Sequence, residues 1–136
     1  MYRLIFAMLC CLSLACNSAN EQRPSAKYEE KKTSLEEMER DSPLKFLKVS
    51  ASHHGNLLNQ AVVEGTITNK ATLVAYKNLE ILITFKDENG SVLEKQKHTI
   101  DDIAKPGSST SFKIKTGKVK GTASIIADIT SATADK

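Results

Sequence analysis

From about Leu44 onward, apolar and polar residues alternate with a period of two, the spacing of a strand with one wet and one buried face. Val63, Gly65 and Ile67 alternate with Glu64, Thr66 and Thr68, and Leu79, Ile81, Ile83 and Phe85 with Glu80, Leu82, Thr84 and Lys86. Phe112 and Ile114 alternate with Ser111, Lys113 and Lys115, and Ile125, Ala127 and Ile129 close the set. Turn chemistry punctuates these runs: Asn69-Lys70-Ala71, Asp87-Glu88-Asn89-Gly90, Lys105-Pro106-Gly107-Ser108, and Thr116-Gly117-Lys118 with Gly121. Asn-Gly tolerates positive φ at both central positions, so Asp87 to Gly90 is expected to be a tight hairpin. Short strands at this spacing predict an all-β fold: an antiparallel β-sandwich of six to seven strands over residues 44–136.

Upstream the pattern changes twice. Residues 16–43 are polar and charged, with Pro24 and no apolar period at first, which predicts a disordered linker from Asn17 to about Ala26. Thr33 or Ser34 followed three residues later by Glu36 or Glu37 is a capping-box signature. Leu35 and Met38 then share one helical face. This predicts about two turns of short charged helix, ending before Asp41-Ser42-Pro43. Two apolar residues make a narrow stripe for a partner-binding helix.

The first fifteen residues form a basic head (Arg3) and an apolar run from Leu4 to Leu14, ending in Ala15. That is the composition of a secretory signal, and the run is too short for a spanning helix, which needs about 20 apolar residues. The only cysteines are Cys10, Cys11 and Cys16. Cleavage before Cys16 leaves one thiol, so the folded part holds no disulfide and no cysteine metal site.

The run Leu12-Ser13-Leu14-Ala15-Cys16 resembles the lipobox of bacterial lipoproteins, with Ser13 and Leu14 in the reverse of the usual order. The resemblance implies a signal peptide over 1–15 and lipidation of Cys16 (palmitate or a similar acyl chain). It also implies membrane attachment through N-terminal acyl chains, two or more of which hold a protein stably at a bilayer. No aspartate follows the cysteine, which by the enterobacterial sorting rule implies the periplasmic face of the outer membrane.

Three stretches resemble the FxLYD family of immunoglobulin-like bacterial domains: Val63 to Asn69, Tyr76 through Phe85 to Gly90, and Lys105 to Phe112. In the naming motif Asp87 matches outright, Ile83 and Phe85 keep apolar character, and Lys86 stands where the pattern has tyrosine. The family implies a fold and an extracytoplasmic setting and brings no catalytic residues.

Candidate chemistry is sparse. His53 and His54 are the most tempting metal pair, but neighbours on a strand face opposite ways, so they would share an ion only from a bent loop. Asp87 to Gly90 lacks the twelve-residue ligand spacing of a calcium loop, and Asp101-Asp102 fits a turn. No Gly-x-Ser-x-Gly elbow occurs, and Asn89-Gly90-Ser91 matches a glycosylation sequon that a hairpin explains equally well. Charge is uneven: residues 17–44 carry seven acids to five bases, and 45–136 carry thirteen bases to nine acids. Lys113, Lys115, Lys118 and Lys120 form a stripe that suits either an anionic partner or protection of a sheet edge. Aromatics at 5% give no stacking platform for nucleic acid.

The sequence thus predicts a non-enzymatic, lipid-anchored envelope protein without a cofactor, in which the sandwich binds another envelope protein or a surface polymer. Contact is expected through an edge strand or through loops at Ser52 to Asn56 and Asn69 to Tyr76. The alternative is a ligand- or metal-binding accessory domain using His53 and His54 or the acidic loops.

Overall fold

The computed structural model describes residues 26–55 and 60–136. The signal segment, Cys16 and the expected linker up to residue 25 lie outside the described residues, as does Asn56.

Helix α1 (Ala26–Asp41) is sixteen residues long, about 24 Å at 1.5 Å per residue. It is longer than the two turns expected because Ala26 to Lys32 holds good helix formers and no glycine or proline. The capping-box residues therefore fall inside it, and the Thr33 hydroxyl donates to the Glu29 carbonyl at 2.9 Å instead of capping an end. Glu36 and Arg40 pair one turn apart at 2.9 Å. The helix stops where Pro43 follows Ser42 and opens the short turn α2 (Pro43–Phe46).

Six strands follow: β1 (Leu47–Gly55), β2 (Gln60–Asn69), β3 (Tyr76–Lys86), β4 (Val92–Ile100), β5 (Ser109–Gly117) and β6 (Ser124–Ala134). They form two three-stranded antiparallel sheets, ordered β1-β2-β5 and β4-β3-β6. This is the all-β sandwich that the alternation predicts. Residues Ser52 to Gly55, expected in a loop, continue β1, with His53 opposite Val63 and His54 opposite Val62. Pairing with β2 overrides the weak strand preference of those residues.

The core lies between the sheets. Val63 and Ile67 of β2 and Tyr76, Leu79, Ile81, Ile83 and Phe85 of β3 are fully buried, with Phe112 and Ile114 of β5 closing over them. The central strands supply most of it because each is covered by neighbours on both edges. At the β3–β4 hairpin, Asp87 Oδ1 accepts the backbone N–H groups of Asn89 and Ser91, at 2.9 and 2.8 Å. Only Gly90 takes a positive φ there, at 80°. The turn is thus closed by the Asp87 carboxylate and one left-handed glycine, and Asn89 does not take the left-handed conformation that a two-residue Asn-Gly turn would give it.

Gly65 sits mid-strand in β2, opposite Ala51 on one side and Phe112 on the other. A Cβ at this position would collide with the Ser50 carbonyl oxygen and the Phe112 ring. Glycine is required so that the aromatic ring can lie over the backbone of the central strand. Gly65→Ala is expected to lower unfolding free energy by about 1–3 kcal/mol through overpacking. A urea midpoint equal to wild type would show that the ring has room to move.

Candidate functional site

Strand direction sorts the molecule into two ends. The N-terminus of β1 and the C-terminus of β2 meet α2, the segment 70–75 and the segment 101–108; this end carries α1 and is called proximal here. The opposite, distal end holds the close of β1, the start of β2, the 87–91 turn and the segment 118–123. Strands of nine to eleven residues separate the two ends by about 30 Å.

At the proximal end a carboxylate holds the helix to the sandwich. Glu39, in the last turn of α1, is only 1% exposed. Its Oε1 accepts the Thr72 N–H at 2.8 Å and the Thr72 hydroxyl at 3.0 Å. Its Oε2 accepts the N–H groups of Leu73 and Val74 at 2.9 and 3.0 Å. The Tyr76 hydroxyl, from the start of β3, donates to the Glu39 carbonyl oxygen at 2.8 Å. Burial works to raise the Glu39 pKa; the three backbone donors and the Thr72 hydroxyl outweigh it, holding the carboxyl below its ordinary value of 4.5. Burial, reinforced by the negative Glu39, pushes the Tyr76 phenol up to about 12.

Asn69 prepares the segment that receives Glu39. Fully buried at the end of β2, it donates from Nδ2 to the carbonyls of Val74 and Ala104, both at 2.9 Å. Its Oδ1 accepts the Ala71 N–H at 2.8 Å. Tyr76 and Ala104 exchange two further backbone hydrogen bonds. The 70–75 segment is therefore fixed on both sides, with three successive N–H groups turned toward one anion. Neither Glu39 nor its docking role is marked by the apolar stripe read from the sequence: Leu35 and Met38 stay 36% and 53% exposed. The available signal was helical spacing, since Glu39 follows Leu35 by one turn on the same face.

The distal end carries a cleft of about 240 Å³, bordered by His53, His54, Gln60, Phe85, Lys118 and Val119 among others. His53 ends the inward-facing row of β1 and is partly buried, whereas His54 points outward and is exposed. His54 lies close enough to Glu64 to interact with its charge. The two imidazoles therefore do not converge on one ion, and among the described residues no three His, Cys, Asp or Glu side chains are grouped as metal ligands. Asp87 is engaged in its own turn, and Asp101 and Asp102 are exposed beyond β4.

The lysine stripe divides. Lys113 and Lys115 are exposed on β5, an edge strand, where lysines discourage further sheet pairing. Lys113 is paired with Glu64 on the neighbouring strand, which holds the Glu64 carboxyl below its ordinary value. Lys118 and Lys120 leave the strand, and Lys118 alone borders the cleft.

No family model and no curated protein matches the chain. Among solved structures the chain is similar to IrmA from Escherichia coli, with 19% identity over 67% of this chain and 78% of that one, at a TM-score of 0.50. A DUF1425 family member from Shewanella sp. pv-4 matches at 14% identity, over 65% of this chain and 81% of its own, at a TM-score of 0.43. The Salmonella enterica trimeric lipoprotein SadB matches at 11% identity, over 80% and 75%, at 0.49. At such identities the likeness is one of fold: a two-sheet β-sandwich shared with a solved bacterial protein. The FxLYD resemblance remains a likeness of strand and turn motifs.

Glu39→Gln is expected to destabilise the docked helix by about 2 kcal/mol, because it replaces a charged acceptor of four hydrogen bonds by an amide with one acceptor oxygen. The folded state lowers this carboxyl's pKa, so its contribution is complete above the ordinary value and fades as pH falls through the lowered one. In urea titrations the gap between wild type and Glu39→Gln should be full at pH 7 and narrow as pH falls below 4.5. Parallel curves at every pH would assign the loss to some other group.

Proposed function

We propose that this chain is a lipid-anchored protein of the bacterial cell envelope, acylated at Cys16, whose sandwich acts by binding and not by catalysis. The observation that carries the reading is the Glu39 attachment of α1 to the proximal end. It makes α1, which leads into the domain, a fixed stalk. Acyl chains on Cys16 would place the proximal end toward the membrane and the distal end outward. The nine residues from Asn17 to Ser25 span at most about 30 Å when extended. With α1 standing upright, the sandwich would reach as far as about 55 Å above the bilayer surface. The outward end carries the 87–91 and 118–123 segments and the cleft, and these would meet an envelope protein or surface polymer.

The binding reading is supported by the character of the sites. Among the described residues, Glu88, Asn89, Lys118 and Lys120 at the distal end are exposed on turns and connecting segments, the usual place of contact surfaces. No helix among them is long and apolar enough to cross a membrane, and acylation would supply the attachment without one. The outer-membrane location follows from the residues behind Cys16 and belongs to the same proposal.

Fractionation of cells carrying wild type or Cys16→Ser, followed by intact-mass analysis, tests the anchor. Wild type is expected in the membrane fraction with acyl mass on residue 16, and the variant in the soluble fraction. A photo-crosslinker at Glu88 should capture a partner that one at Lys105, on the proximal end, does not. An unacylated soluble wild-type chain, or capture confined to Lys105, would overturn the proposal.

A further inference from the structure

The geometry points to a ligand for the distal cleft: we propose that it binds a monocarboxylate carried on a short apolar body. The inference deepens the reading of the distal end as the working face and rests on it only in that respect.

Size comes first. At about 240 Å³ the cleft is smaller than the roughly 300–1,000 Å³ of sites for drug-sized ligands and cofactors, so it suits a few heavy atoms or the terminal residue of something larger. Its accessible apolar wall is Val119, which packs on the core cluster with the fully buried Phe85 behind it. Among the described residues its polar border is cationic or neutral, with Lys118 and His53 present and no aspartate or glutamate. Lys77, Lys97 and Lys113 each pair with a carboxylate elsewhere in the domain. The Lys118 ammonium and the His53 imidazole make no hydrogen bond or ion pair with any described residue. The ammonium and the imidazole are thus unspent beside an apolar floor.

The cleft is also held ready. Thr122 bonds back to the Val119 carbonyl through both its N–H (3.3 Å) and its hydroxyl (2.8 Å), and Ala123 N–H donates to Lys86 at 2.8 Å. The segment that presents Lys118 is therefore braced against the end of β3, which reduces the ordering cost of binding. One lysine matches one negative charge. A dianionic phosphate would face the same single lysine and lose more hydration against Val119. A carboxylate on an aliphatic stem satisfies both walls, whether it is a free short-chain acid or the C-terminal residue of a peptide.

The test uses the 15N-labelled full chain in detergent micelles, titrated with isovalerate and with N-acetyl-valine. Isovaleramide and N-acetyl-valinamide serve as uncharged controls. Saturable amide shifts at Gly55, Ala61 and Val119 to Thr122 are expected for the acids, with the amides at least about 10-fold weaker. Lys118→Met should remove the difference while leaving the rest of the spectrum in place, since this side chain is exposed. Tighter binding of N-acetyl-valine assigns a peptide terminus, and tighter binding of isovalerate a free acid. Equal binding of acid and amide, unchanged binding by Lys118→Met, or no saturable shift at these residues would overturn the proposal. Partner capture from Glu88 alongside a silent titration would sink the carboxylate and spare the distal reading. Carboxylate binding by a chain that proves unacylated would do the opposite.

Discussion

The conformation of the proximal end depends on a carboxylate taken out of water and given back its hydrogen bonds by the chain. An unpaired buried anion costs several kcal/mol, so Glu39 is tolerable only because Thr72, Leu73 and Val74 turn their N–H groups to one point. Those groups in turn need an acceptor, because the 70–75 segment crosses between sheets and leaves them without strand partners. Each side of the contact answers the other's deficit. Removing either would leave buried polar atoms unsatisfied, and among the described residues no buried side-chain nitrogen or oxygen lacks a partner.

Around this contact the remaining features fall into order. Asn69 sets the segment from the β2 side and Ala104 from the β4–β5 side. Tyr76 extends the link into the central strand of the second sheet through its hydroxyl and its backbone. The charged helix, which has almost no apolar face of its own, is thereby tied directly to the core residue that opens β3. A helix this polar would be marginal in isolation. Its docking is electrostatic and directional, which fixes its angle more tightly than a greasy stripe would.

The sandwich was legible because its determinants are local. The alternation in Val63 to Ile67, Leu79 to Phe85, Phe112 to Ile114 and Ile125 to Ile129 marks four strands that do form, and Pro106-Gly107 marks a turn that does. Two strands were harder. Ser52, His53, His54 and Gly55 lack strand propensity and are ordered only by pairing with β2, and Val92 to Ile100 is an exposed edge whose middle, Glu94 to His98, is polar throughout. Helix length was underestimated because the capping signature at Thr33 competes with a run of helix formers that needs no cap there. The Glu39 contact joins residues more than thirty positions apart, and the one local cue, its one-turn spacing from Leu35, does not reveal the segment it meets. The cleft is likewise assembled from His53, Phe85 and Lys118, which only the topology brings together.

The most direct measurement of the central claim is amide hydrogen exchange at Thr72, Leu73 and Val74 in the full chain. The side chains of Thr72 and Leu73 are exposed and the segment belongs to no strand, so without the Glu39 carboxylate these amides would exchange as in an open loop. The account requires all three to be protected to a similar degree and to lose that protection together in Glu39→Gln. Exchange at open-loop rates in the wild-type chain, or protection that survives the substitution, would contradict it.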